Sequence, residues 1–156
     1  MRKLLASDLL QLRQILVATQ VFTDIEVNCA MELLETVLND PEQKDYQVII
    51  ADDKTAVAGF ALFGPVPLTH GTYDLYWIAT DPDLHGAGIG RQLMLEVEKR
   101  LRAAGARLLC LETSSQGNYT RTRKFYQQAG YQEEARIRDF YRPGDDRITY
   151  VKRFHP

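Results

Sequence analysis

A mixed α/β fold is predicted for this chain: a mostly antiparallel sheet with one parallel central pair, flanked by helices. Three features of the 156 residues predict it. First, residues 73–80 read as a strand, a glycine-rich turn then leads into an amphipathic helix, and residues 107–113 read as another strand. Strand, helix, strand implies a parallel crossover. Second, residues 46–51 and 56–63 are β-type runs joined by Asp52-Asp53-Lys54-Thr55, so they form a hairpin. Third, residues 131–141 and 147–154 flank Arg142-Pro143-Gly144-Asp145-Asp146, a turn by composition, which gives a closing hairpin. The length corresponds to one domain, residues 1–156, able to bury a core without disulfides or metals.

In chain order, Ser7 can cap a first helix whose Leu9, Leu12, Ile15 and Leu16 share a face. Thr23 with Glu26 three residues on is a capping box opening a second helix, with Val27, Ala30, Met31, Leu34 and Leu38 at helical spacing. Asn39-Asp40-Pro41 stops it. After the first hairpin, Gly64-Pro65-Val66-Pro67 breaks the strand, and a fourth strand before the central helix is left open. In the strand at 73–80, alternation puts Asp74, Tyr76, Ile78 and Thr80 on one face and Tyr73, Leu75, Trp77 and Ala79 on the other. The central helix carries Ile89, Leu93, Val97 and Leu101 on one face, with charges between, and Gly105 ends it. Leu108-Leu109-Cys110-Leu111 is an unbroken apolar run, as expected of a strand covered on both faces. Residues 119–128 read as a helix ended by Gly130.

The turn Asp81-Pro82-Asp83-Leu84-His85-Gly86-Ala87-Gly88-Ile89-Gly90-Arg91 organises the chain. Glycine at every second position before a helix clears side chains from the first free N–H groups, and with the helix dipole this makes an anion site suited to phosphate. It is not a P-loop, because Gly90-Arg91-Gln92 lacks Gly-Lys-Ser/Thr. Nor is it the G-x-G-x-x-G of dinucleotide folds. It resembles the Q/R-x-x-G-x-G/A signature of the GNAT superfamily of acyl-CoA-dependent N-acyltransferases, with His85 in the first position. Asn118-Tyr119-Thr120-Arg121-Thr122-Arg123-Lys124-Phe125-Tyr126-Gln127-Gln128-Ala129-Gly130-Tyr131 is similar to the second motif of that family. The order of elements and the Arg138-Asp139-Phe140-Tyr141 ending resemble its small bacterial members.

The resemblance implies acetyl-CoA as co-substrate and a primary amine of a small molecule as acceptor, with direct attack in a ternary complex. It implies that the backbone of Ile78, Ala79 and Thr80 pairs with the pantetheine arm. His85, Gly86, Ala87, Gly88, Ile89, Gly90 and Arg91, with Asn118, would hold the pyrophosphate end. Tyr126 takes the place of the tyrosine that protonates the departing thiolate. Counting back from His85 by the spacing found in the histone-acetylating branch lands on Asp74 as the base. The residues themselves are compatible with this. A phenol suits donation to a thiolate of similar basicity, and an Asp inside an aromatic strand runs against propensity, where function is expected. Glu112, Asp139, Asp74 and Glu26, with Tyr76, could converge into an acidic pocket for a cationic amine. Residues 21–26 and the closing hairpin would wall it.

Net charge is −2 with pI near 5.9, which shows no electrostatic footprint for nucleic acid. The basic cluster Arg121, Arg123 and Lys124 suits phosphates. The apolar start is too short for a signal peptide or a membrane span. Cys29 and Cys110 read as reduced core residues of a cytoplasmic protein. No metal pattern is present, and His70 and His155 have no ligand spacing. A homodimer is compatible with this reading. Two alternatives stay open: a non-catalytic acyl-CoA-binding or sensing domain, and a nucleotide-binding module.

Overall fold

A computed structural model describes residues 1–53 and 56–154. Lys54 and Thr55 of the first predicted turn, and His155, lie outside the described residues. Four α-helices, α1 (Leu9–Ala18), α2 (Asp24–Asn39), α3 (Ile89–Ala103) and α4 (Thr120–Gln128), accompany six strands. The strands are β1 (Gln47–Asp52), β2 (Val57–Pro65), β3 (Thr72–Thr80), β4 (Leu108–Ser114), β5 (Gln132–Arg142) and β6 (Asp145–Arg153). They form one sheet in the order β1-β2-β3-β4-β6-β5. Among the described residues only β3 and β4 run parallel, joined by the crossover through α3. The other neighbours are antiparallel.

Each face of the sheet has its own core. One buries Ile49, Ala61, Phe63 and Leu75 against Leu93, Met94, Val97 and Leu101 of α3 and Tyr126 of α4. The other buries Ile50, Phe60, Leu62 and Ala79 against Leu12, Leu16, Val27, Ala30 and Leu34 of α1 and α2. The α2 capping box forms as its sequence dictates: the Glu26 N–H donates to Thr23 Oγ1, and the Thr23 N–H donates to the Glu26 carboxylate at 2.7 Å.

Several boundaries differ from the sequence reading. Three strands, not four, precede α3 among the described residues. Gly64 and Pro65 continue β2 rather than break it: they pair with Asp74 and Tyr73. Only glycine fits at 64, because a Cβ there would run into the Asp45 carbonyl. Ser7 does not cap α1. A 3-10 turn (Ala6–Asp8) leads into the helix, and the buried Asp8 carboxylate accepts from the Leu5 N–H and twice from the Arg2 guanidinium. That guanidinium, also bonded to Asp52 at 2.7 Å, holds the Asp8 carboxyl below the usual carboxylate range. The β4 run is fully covered on one face only: Leu109 and Leu111 are buried, while Leu108 and Cys110 are half-covered. Cys29 is exposed on α2 and is not a core residue.

Among the described residues no helix is long and apolar enough to cross a membrane, and no group of three or more His, Cys, Asp or Glu could hold a metal ion.

Candidate active site

The pairing of β3 with β4 runs from Thr72↔Leu108 to Leu75↔Leu111 and stops there. β4 goes on pairing with β6 as far as Ser114, and β3 with β2 as far as Thr80. The two strands therefore part above Leu75 and leave a slot through the sheet. A bulge makes the parting. Leu75 and Trp77 face Phe63 and Leu62, successive residues of β2, so Tyr76 is an extra residue in β3. Extra residues of this kind bend a strand and strengthen its local twist.

The bulge also corrects the predicted alternation. Tyr73, Leu75 and Ile78 pack on the α3 side, whereas Tyr76, Trp77 and Ala79 pack on the α1–α2 side. Ile78 and Thr80 thus lie on the opposite face from Asp74 and Tyr76, because the period of two slips by one residue at Tyr76. A cleft of about 810 Å³ fills the slot and continues to the start of α3.

One end of this cleft is the glycine turn. Gly88 is the N-cap of α3 at φ +76°, and Gly86 has φ +92°. A Cβ built at either meets nothing within 4 Å, so the backbone stands free beside open space. The Gln92 N–H is bonded to the Gly88 carbonyl. The N–H groups of Ile89, Gly90 and Arg91 before it belong to the helical turn that has no intrahelical acceptor. Ala87 does not line the cleft, and its N–H donates to the Leu84 carbonyl at 3.1 Å. His85 does line it, with Arg121 of α4 against it: a guanidinium only donates, so Nδ1 of His85 accepts at 3.1 Å. Arg91 and Asn118 complete this rim. Nothing in the local sequence signalled the His85–Arg121 contact, since its partners come from separate segments.

Further in, Tyr126 lines the cleft with its ring packed on Phe125, Tyr131 and Tyr150. Burial, with a smaller push from Tyr119, raises its phenol above the ordinary value, so it stays protonated. Behind it, Tyr131 donates to the buried Glu98 carboxylate, which also holds Lys152 at 2.8 Å. Lys152 in turn donates to the Ala129 carbonyl at the end of α4. The helix that carries Tyr126 is thereby tied to α3 and β6.

On the α1–α2 face, Glu112 and Tyr76 line the cleft together with Val21 and Phe22, which come from the predicted wall. Asp74 does not line it. It lies one register step below the branch, paired with Cys110, and its carboxyl is pushed up by burial and then by Glu112. Burial, followed by Asp74, pushes the Cys110 thiol up to about 11, so it stays a neutral thiol. Glu26 is engaged in its capping box and stands near Tyr119. Tyr119 donates to the Val21 carbonyl and pins the start of α4 to the loop between α1 and α2.

Asp139 is not brought to the cleft. At φ +52° it shapes a wide bulge in β5, accepting from the Gly144 N–H while its own N–H donates to Asp146. In its place the hairpin sets Arg147 beside Glu112, Nη1 to Oε1 3.4 Å, with its guanidinium over the Phe140 ring. The predicted acidic pocket is thus reduced to Glu112, with Glu26 and Asp74 in its surroundings.

Residues 44–133 match the family model described as the acetyltransferase (GNAT) domain. A solved structure from Desulfovibrio desulfuricans, assigned by its name to the GNAT family, is 41% identical, with 98% of this chain and 96% of that chain covered and a TM-score of 0.94. The chain belongs to the GNAT family of acetyltransferases.

More distant N-acetyltransferase structures share the fold. The ribosomal-protein-S18-alanine N-acetyltransferase from Escherichia coli is 21% identical over 99% of this chain and 93% of its own, with a TM-score of 0.77. An aminoglycoside 6'-N-acetyltransferase complexed with coenzyme A is 17% identical over 99% and 97%, with a TM-score of 0.75. No curated protein matches the chain.

Proposed function

We propose that this GNAT enzyme transfers an acetyl group from acetyl-CoA to the primary amine of a small-molecule acceptor, by direct attack with both substrates bound. The observation that carries the reading is the slot itself. The glycine turn and Tyr126 lie on one face of the parted strands, and Glu112 lies on the other. The chain's residues suit coenzyme A. Free N–H groups and unobstructed glycines would meet its pyrophosphate, and His85, Arg91, Arg121 and Asn118 line the space around that position. Backbone groups of Ile78, Ala79 and Thr80 that point away from β2 have no strand partner on the β4 side, and they match an extended pantetheine arm.

An acceptor amine arriving from the α1–α2 face loses its proton to Glu112, directly or through a water, with Asp74 behind Glu112 as a second carboxylate. Its nitrogen attacks the thioester carbon. N–H groups near Ile78 and Ala79 polarise the carbonyl. The C–N bond forms as the C–S bond breaks, the sulfur takes the proton of the Tyr126 hydroxyl, and the extra proton left on the nitrogen passes through water to the tyrosinate, which restores the phenol. A neutral Cys110 thiol on the acceptor face favours this direct route over an acyl-cysteine. Carboxylates outnumber Arg147 near the acceptor side, which favours cationic over anionic acceptors.

Thermal unfolding tests the donor assignment. CoA or acetyl-CoA at a hundredfold excess over Kd is expected to stabilise the protein by about 3 kcal/mol, whereas ATP and NAD leave it unchanged. Gly88→Val forces a β-branched residue into φ +76° beside the cradle, at a cost of about 1–2 kcal/mol. It is expected to abolish most of the CoA shift. Equal stabilisation by ATP would contradict the reading, and so would a folded Gly88→Val protein that binds CoA like the parent.

A further inference from the structure

Two buried side-chain polar atoms have no hydrogen-bond partner among the described residues: Thr113 Oγ1 and Arg147 Nε. Arg147 has other compensation, with its guanidinium over Phe140 and beside Glu112. Thr113 has none. It is 5% exposed, it lines the cleft, and it sits two residues beyond the last β3–β4 pair, at Leu75↔Leu111.

Its direction follows from the ladder. Thr113 pairs with Ile148, on the face where Leu111 and Tyr150 pack with Tyr126, while Glu112 points to the opposite face. The hydroxyl is therefore on the donor side of the slot. A valine would fill the same space in a strand and leave no orphan, and a buried hydroxyl without a partner carries a desolvation penalty. The neighbouring Ser114 shows the contrast, since its hydroxyl donates to the buried Asp145 carboxylate at 2.5 Å.

We propose that the Thr113 hydroxyl is a hydrogen-bond partner of the donor's pantetheine arm, meeting an amide group where the arm passes between β3 and β4. This rests on the reading that acyl-CoA occupies the slot. Thr113 is then a positioning residue for the donor: its hydroxyl has no partner among the described residues and gains one when the arm enters. The hydroxyl can donate to a carbonyl or accept from an amide N–H.

The proposal predicts effects of opposite sign on the free and bound states. In Thr113→Val the ligand-free protein should melt higher, by about 2–4 °C, because the orphan is gone. Its Kd for CoA, measured by calorimetry, should weaken by about tenfold, while KM for the amine stays unchanged. Thr113→Ser and Thr113→Ala give the comparison if the valine variant misfolds. They differ only in the hydroxyl, so serine should bind CoA close to the parent and alanine about tenfold more weakly. Unchanged CoA affinity in Thr113→Val, equal affinities for serine and alanine, or a loss confined to the amine would each overturn the assignment. A parent protein that fails to bind CoA would instead remove the underlying reading, and this shows before any variant is made.

Discussion

Replacing Glu112 with Gln is expected to lower kcat/KM for the amine by roughly 10²-fold near neutral pH, the low end for general-base assistance. Gln keeps the shape and a hydrogen-bond acceptor beside Arg147 but cannot take a proton, so the loss reports proton transfer rather than packing. Raising the pH should recover much of it, because more of the amine then arrives already neutral. Asp74→Asn should cost less, since Asp74 lies below the branch point and does not line the cleft. The two variants measured together decide between the carboxylates. A large, pH-repaired loss in Asp74→Asn with a near-parental Glu112→Gln would return the role to Asp74.

Tyr126→Phe is expected to lower kcat by about 10²-fold, and this loss differs from that of Glu112→Gln in its pH dependence. The missing proton is the one delivered to sulfur, so high pH does not restore it. Burial raises the phenol above its ordinary value. The hydroxyl therefore holds its proton through neutral and mildly alkaline conditions, and the parent should show no falling limb from this group below about pH 10. CoA affinity should be unchanged, because the ring still packs on Phe125, Tyr131 and Tyr150. A pH–rate profile with one good acceptor checks all of this. Full activity in Tyr126→Phe would make water or the substrate the proton source.

The features written in local sequence were legible in advance. The α2 capping box, the glycines before α3 and the turn of the closing hairpin depend on residues a few positions apart, and the strand, helix, strand order around α3 implies the parallel crossover. What escaped depends on partners far along the chain. The bulge at Tyr76 exists because β2 and β3 slip past one another, and alternation read from β3 alone then assigns Ile78 and Thr80 to the wrong face. Gly64 looked like a breaker because glycine is a turn signal, yet it is there to let the Asp45 carbonyl approach. Asp139 and Glu112 looked alike as isolated acids. The hairpin turn engages the first, and the branch of the sheet turns the second toward the cleft. Thr113 could not stand out at all, because threonine in a strand is ordinary until its hydroxyl is found buried without a partner.

The direct measurement of acetyl transfer is turnover of acetyl-CoA with a panel of polyamines, aminoglycosides, amino acids and anionic amines, followed by thiol release and product mass. The prediction is one free CoA thiol for each N-acetylated amine, with cationic acceptors ahead of anionic ones. Tight CoA binding with no acetylated product from any amine would contradict it and leave a domain that binds acyl-CoA without transferring the acyl group.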